Sequence, residues 1–364
     1  MSTTIKKRLG EAVEFSHKFE KENKPSKGND NEKINSRFAI GKETEHHVGD
    51  EDGIYCIDIH PQLNRVVTGL GSGLMHVYDS EKMTRIRKVR TGLITNLPLL
   101  AVKFHPCIAK DLLFTGGSNG VLQIWNMENY NVVHSAEEIS NQIMSIDFTG
   151  DGLSVASVGK DSCVRIYDSS TLAINRCYPG TKTLDINTVG SDMSVPGHSG
   201  KILAVKFHPD DRNMLVTASW DRTLKVWDMR LDSAVRTIYG PNVCGDGLDI
   251  NHNSILTASW KANEALQIWD YRMESLISTL TFPLNGSGKK GEYLYCGRFW
   301  DEGHVLAGGS GTKDLKVINI QANKVVGAVS GNSHPVQACE VNTKAKLMFC
   351  GTSGNLLKKV EINE

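Results

Sequence analysis

The chain carries no net charge. Its 364 residues hold 41 lysines and arginines against 41 aspartates and glutamates, so no global field draws it to nucleic acid or to a membrane surface. Any partner must be recognised locally. There is no CxxC pair, and the eight cysteines, at positions 56, 107, 163, 177, 244, 296, 339 and 350, have no histidine at ligand spacing. They read as buried, reduced thiols rather than a metal site. No stretch approaches the ~20 apolar residues that span a bilayer. The opening MSTTIKKRLGEAVEF has no apolar core of signal-peptide length. These absences point to a cytoplasmic chain, with nucleus, cilium and cytoskeleton as alternatives and no membrane insertion.

Chemical motifs are scarce as well. Asn285-Gly286-Ser287-Gly288-Lys289-Lys290 looks like a phosphate loop, but Pro283 stands where a Walker glycine belongs and Lys290 where a serine or threonine belongs. It reads as a glycine-rich loop. Gly308-Gly309-Ser310-Gly311 reads as a turn in which glycine tolerates positive φ. His60, His105 and His208 sit at matched turns too far apart to share a metal, and His46-His47 lies in a polar linker and reads as solvated. No catalytic residue, metal or cofactor is assigned.

What the chain does have is repetition. Residues 197 to 230 read GHSGKILAVKFHPDDRNMLVTASWDRTLKVWDMR. Alternation through Leu203, Val205 and Phe207, and again around Leu224 and Val226, is the period-two signature of strands. His208-Pro209-Asp210 and Asp221-Arg222 supply turns between them. Aligning on Trp227 gives a column of Tyr78, Trp125, Tyr167, Trp227, Trp269, Ile318 and Val360, at spacings of 47, 42, 60, 42, 49 and 42 residues. A second column, Ile59, Phe104, Phe148, Phe207, Ile250, Phe299 and Val341, closes the first strand of each unit in the same register. The excess in the third interval maps to residues 171 to 196, a protruding loop.

With its Gly197-His198 pair and Trp227-Asp228, the 197–230 segment resembles a complete WD40 repeat, and seven such units fit the repeat length of that family. The resemblance implies an all-β fold: a single seven-bladed WD40 β-propeller over residues 34–364, preceded by a flexible polar tail over 1–33. In the tail, Ile5, Leu9, Val13 and Phe19 recur near helical spacing, with Gly10 against a helix. The chain ends after the third strand of unit seven, so residues 34 to 42, INSRFAIGK, are expected to supply the missing outer strand and close the ring.

The resemblance also implies a structural network running from Trp227 through Ser219 and His198 to Asp221. Such a buried polar chain is favourable only when every member is satisfied. The same serine, histidine and aspartate are the one set resembling a triad, and they read as structural, so the chain is read as no enzyme. Only the fourth unit has all four residues; Gly117 and Gly159 stand at the serine position elsewhere.

In this family the wider interface usually lies on the face carrying the turns between second and third strands. The residues four before each first-strand end, Tyr55, Leu100, Met144, Leu203, Asp246, Tyr295 and Gln337, should ring the channel mouth there. Trp220 and Trp260 follow the second strands of adjacent units on the same face, either packed on a loop or serving recognition. On the opposite face, Trp227-Asp228-Met229-Arg230 and Trp269-Asp270-Tyr271-Arg272 resemble the WDxR box by which substrate receptors dock on the adaptor of cullin-4-type ubiquitin ligases. Arg230 and Arg272 would then touch the adaptor, although an arginine there is equally a solvated turn residue, and the second copy carries two extra residues between Ser259 and Trp269. The readings are a non-catalytic scaffold for a multiprotein complex, a ligase substrate receptor, or a structural component of a cytoskeletal or ciliary assembly. Partners would be proteins or peptides and no nucleic acid, the chain being a monomer within a larger hetero-complex.

Overall fold

Apolar alternation becomes extended strand in every unit. The computed structural model describes residues 39–49, 53–92, 97–107, 110–181, 197–284 and 291–363. Their strands form seven antiparallel sheets of four. The inner strands are Ile54–Ile59, Leu99–Phe104, Ile143–Phe148, Ile202–Phe207, Val243–Asn251, Leu294–Phe299 and Val336–Asn342. Each lies beside the next, and Val336–Asn342 meets Ile54–Ile59, so the sheets close a circle around an axial channel. The fold is a seven-bladed β-propeller. The column from Tyr78 to Val360 falls on the third strands of all seven blades.

Each sheet hides its faces against its neighbours. The core divides into seven apolar clusters, each shared between two adjacent blades. Between blades two and three, Phe114 and Phe148 meet edge to face at 4.7 Å. A buried side chain of this size contributes about 1.5–3 kcal/mol by leaving water. Because each blade donates residues to two clusters, no blade completes its core alone.

The ring closes with the strand Ala39–His47, which pairs antiparallel with Leu356–Asn363 from His47↔Leu356 to Ala39↔Asn363, with a bulge between Ile40 and Glu43. Closure by the N-terminal side is as expected; the described strand shares residues 39 to 42 with the expected segment and runs on to His47. Residues 34–38 and the tail with its helical pattern lie outside the described residues. Cross-strand charge explains the position: Glu45 reaches the buried Lys358 ammonium at 2.7 Å. His46 is therefore a strand residue, edge-on to Tyr78 at 5.0 Å, and not part of a linker.

Two local expectations change. Residues 174 to 178 of the expected loop form the outer strand of blade three, Ile174–Tyr178; residues 182–196 lie outside the described residues, as does the 285–290 segment. Gly309 ends a strand, His304–Gly309, and is needed for close approach rather than for positive φ, since a Cβ there would stand 2.2 Å from the Tyr293 carbonyl oxygen. The matched histidines cap their turns: Nδ1 accepts backbone N–H groups of Leu63 at 2.8 Å on His60, Cys107 at 3.0 Å on His105 and Asp210 at 3.1 Å on His208.

Candidate functional site

The polar network of blade four fixes the turn that carries Trp220. In blade four the Trp227 indole N–H donates to Thr217 Oγ1 at 2.8 Å, His198 Nε2 meets the same oxygen at 2.7 Å, and His198 Nδ1 pairs with Asp221 Oδ2 at 2.8 Å. The relay therefore runs through Thr217, not Ser219. Ser219 sits nearer the face, where its hydroxyl donates to the Gly200 carbonyl at 3.0 Å and accepts the Asp221 N–H at 3.2 Å. Asp221 also takes the N–H groups of Ser199 and Thr223, each at 3.0 Å. Burial works to raise the Asp221 carboxyl, but His198 and these donors hold it far below the usual carboxylate range. Burial holds the His198 ring below its ordinary value, against the pull of Asp221.

Moving the relay two residues back also corrects the other blades. Trp125 donates to Thr115 at 2.9 Å and Trp269 to Thr257 at 3.0 Å. Gly117 and Gly159 stand at the level of Ser219 and do not interrupt it. Blade three replaces the histidine with buried Glu138, which accepts from Ser157, from Tyr167 at 2.9 Å and from Arg165 at 3.0 Å. A hydroxyl two before the end of the second strand was the signal in the sequence.

The seven mouth residues, Tyr55, Leu100, Met144, Leu203, Asp246, Tyr295 and Gln337, come together around one cavity of about 370 Å3, which Trp220 and Lys201 also border. Leu203 is buried in its wall, while Tyr55 is exposed. Asp246 is not a free acid: Arg298 grips it, and although burial opposes ionisation, that guanidinium keeps its carboxyl below the ordinary value. A second hollow, of about 470 Å3, lies against the first between Trp220, Arg222, Asn242, Cys244, Trp260 and Tyr295. Trp220 is 53% exposed and Trp260 44%. Each has one neighbour holding it in place: Lys201 Nζ stands 5.3 Å from the Trp220 ring, and Tyr293 lies 5.0 Å from Trp260. The two tryptophans thus pack on a neighbour and still show about half their surface.

Below the mouth lies a charged ring that went unread in the sequence. The residue before each inner-strand column position is Asp58, Lys103, Asp147, Lys206, Asp249, Arg298 and Glu340. The sign alternates from blade one to blade seven, where the acid Glu340 then meets the acid Asp58 of blade one. Asp58, Asp147 and Asp249 accept the backbone N–H of Phe104, Phe207 and Phe299 in the next blade at 2.6, 2.7 and 2.8 Å. Each acid therefore clasps an inter-blade seam. Lys103 reaches Asp58 at 2.7 Å and Glu340 at 3.7 Å, and Arg298 reaches Glu340 at 3.3 Å.

On the opposite face the WDxR arginines differ. Arg230 folds back on its own repeat, donating to Asp228 through Nε at 2.8 Å and Nη2 at 2.7 Å, yet leaves 63% of its side chain exposed. Arg272 is exposed, and only its backbone N–H is taken by Asp270, at 2.7 Å. Among the described residues no group of histidine, cysteine and carboxylate side chains could hold a metal, and no helix is long and apolar enough to cross a membrane.

The family described as WD domain, G-beta repeat matches residues 132–168 and 190–228, which include the first three strands of blades three and four. The chain is a WD40-repeat β-propeller. It is similar to nuclear distribution protein PAC1 of Arthroderma otae, 28% identical over 142 residues, 38% of this chain and 28% of that protein. It is 26% identical over 172 residues to protein tipD of Dictyostelium discoideum, 47% of this chain and 24% of that one. Cell division cycle 20.1, cofactor of APC complex, of Arabidopsis thaliana is 22% identical over 278 residues, 75% of this chain and 56% of the relative. The match spans less than two thirds of each of these relatives.

Proposed function

We propose that this WD40 propeller is a non-catalytic scaffold that holds partner proteins in a larger complex through its channel-mouth face, with residues 34–364 as the propeller domain and 1–33 as a tail. The observation that carries this is the pair of half-exposed tryptophans beside a hollow continuous with the channel mouth. Exposed indoles on rigid turns are costly in water and are enriched at interaction hot spots. The reading assigns no catalytic, cofactor or metal residue. The partners fit a cytoplasmic or nuclear setting, and a relative aligned over 75% of the chain is named as a cofactor of a complex. Affinity purification of the full chain from its own cells tests it: Trp220→Ala with Trp260→Ala should lose partners that the wild type retains. Retention of every partner removes this face from consideration.

A second reading, a substrate receptor for a cullin-4-type ubiquitin ligase, is favoured by the exposure of Arg230 and Arg272 at matched turns of adjacent blades. Its test is co-purification of the large propeller adaptor, with loss on Arg230→Ala with Arg272→Ala. Failure to recover the adaptor with the wild type ends it.

A further inference from the structure

We propose that the hollow between Trp220 and Trp260 docks an acidic peptide segment bearing a bulky apolar side chain, a reading that rests on the mouth face being the interaction face. The residue after each second strand is Gly71, Ser118, Lys160, Trp220, Trp260, Ser310 and Ser353. Four blades present small residues there, and only blades three to five present bulk or charge. The feature is thus a patch on one side of the mouth, not a property of the whole rim.

Cations surround that patch. Lys160 and Arg222 are exposed, Lys201 lies over Trp220, and Lys261 follows Trp260. Among the described residues none of the four stands in an ion pair. The carboxylates on the same turns are already engaged: Asp161 by Arg165 at 2.5 Å, Asp221 by His198, Asp246 by Arg298 and Glu292 by the Ala265 N–H at 2.7 Å. Glu264 offsets part of the Lys261 charge. Burial, with a further push from Lys160, keeps the Lys201 ammonium below its ordinary pKa, and burial with Arg222 does the same to Lys261. An arriving carboxylate relieves both repulsions.

The hollow itself sets the rest of the ligand. With Cys244 and Asn242 between the two indoles and Tyr295 at its side, it has room for one aromatic or branched side chain. Flanking carboxylates would then lie over Lys201 and Arg222. Basic residues beside aromatics also suit a single nucleic-acid strand. Here the cations are few, the chain is neutral overall, and Glu264 stands at the edge of any phosphate path, so a peptide is favoured.

The test is a selection of random displayed peptides on the full chain, followed by titration of one synthetic winner. Winners should be enriched in aspartate and glutamate around a phenylalanine, tryptophan or leucine. Lys201→Glu with Arg222→Glu should weaken the winner about tenfold or more, and added salt should weaken it as well. Trp220→Ala with Trp260→Ala should abolish binding, and both variants should keep the wild-type melting temperature. Winners that need the tryptophans but are neutral or basic overturn this inference and leave the mouth-face reading intact. Winners indifferent to both tryptophans overturn that reading too. An empty selection, or tighter binding of a single-stranded oligothymidylate than of any peptide, overturns the acidic-peptide assignment.

Discussion

Blades four and seven occupy equivalent places in the ring and are held together by opposite means. Blade four threads Trp227, Thr217, His198 and Asp221 into a satisfied polar relay that reaches from the middle of the sheet to the mouth face. Blade seven has Cys350 where Thr217 stands and Val360 where Trp227 stands, packed with Met348, Val336 and Cys339 in an apolar cluster. It also takes its outer strand from the other side of the sequence. The comparison separates two currencies of order. A polar relay fixes one geometry and fails when one member is lost, whereas an apolar cluster tolerates exchange of similar volumes. Trp220, one of the two exposed tryptophans, sits on the first kind of blade, where the turn beneath it is anchored by the Asp221 carboxylate.

The sharpest way to break the contrast is to remove the strand that blade seven borrows. Deleting residues 39 to 47 uncovers the edge of Leu356–Asn363 and strips an unpaired strand face into water, so the melting temperature should fall by about 10 °C or more and the protein should aggregate on heating. An unchanged transition by scanning calorimetry would mean the ring is not held shut there. Next in size, Thr217→Val leaves the Trp227 N–H and a His198 nitrogen buried without their shared partner, and should cost about 2–4 kcal/mol in urea unfolding. Ser219→Ala, which spares the relay, should cost about 1 kcal/mol; equal losses would restore Ser219 to the network. The matching change in blade seven, Cys350→Val, should cost under about 1.5 kcal/mol.

The smallest effect is a slope with pH. The folded ring of His198 binds its proton less readily than the unfolded one, so stability falls as pH drops below about 6.5, the unfolded value. His60 and His105 are shifted the same way by burial and add to the slope. Asp221 is depressed instead, so its contribution persists above about pH 4 and disappears only in stronger acid. His198→Asn should flatten the decline of melting temperature between pH 7 and 5 without removing it. An identical slope in wild type and variant would show that blade four does not carry the effect.

Much of this was readable in advance. Two columns in register gave the blade count, and the residue four before each inner-strand end named the channel mouth, because period-two geometry fixes height along a strand. The relay hydroxyl was misplaced because Thr217 and Ser219 lie on the same strand face and both can bond. Only the distance to the Trp227 nitrogen separates them. The closing strand runs five residues beyond the expected 34–42, through the polar Glu43 to His47, because pairing is decided by a partner more than 300 residues away in Leu356–Asn363. The charged ring was legible as letters but not as an arrangement. Asp58 and Glu340 look unrelated until the chain is bent into a circle.

That circle has an odd number of members, and an odd circle cannot alternate in sign without a fault. The fault falls between blades seven and one, beside the sheet of blade seven in which the two distant stretches of chain are stitched. There two acids face each other and Lys103 reaches both, Asp58 and Glu340, while at every other boundary an acid of one blade adjoins a cation of the next. A propeller with an even blade count could alternate all the way round, with no boundary where two acids meet. In this one, the fault flanks the blade that holds the topological join, and the acids of the first and last blades share the Lys103 ammonium, with Arg298 serving the last one as well.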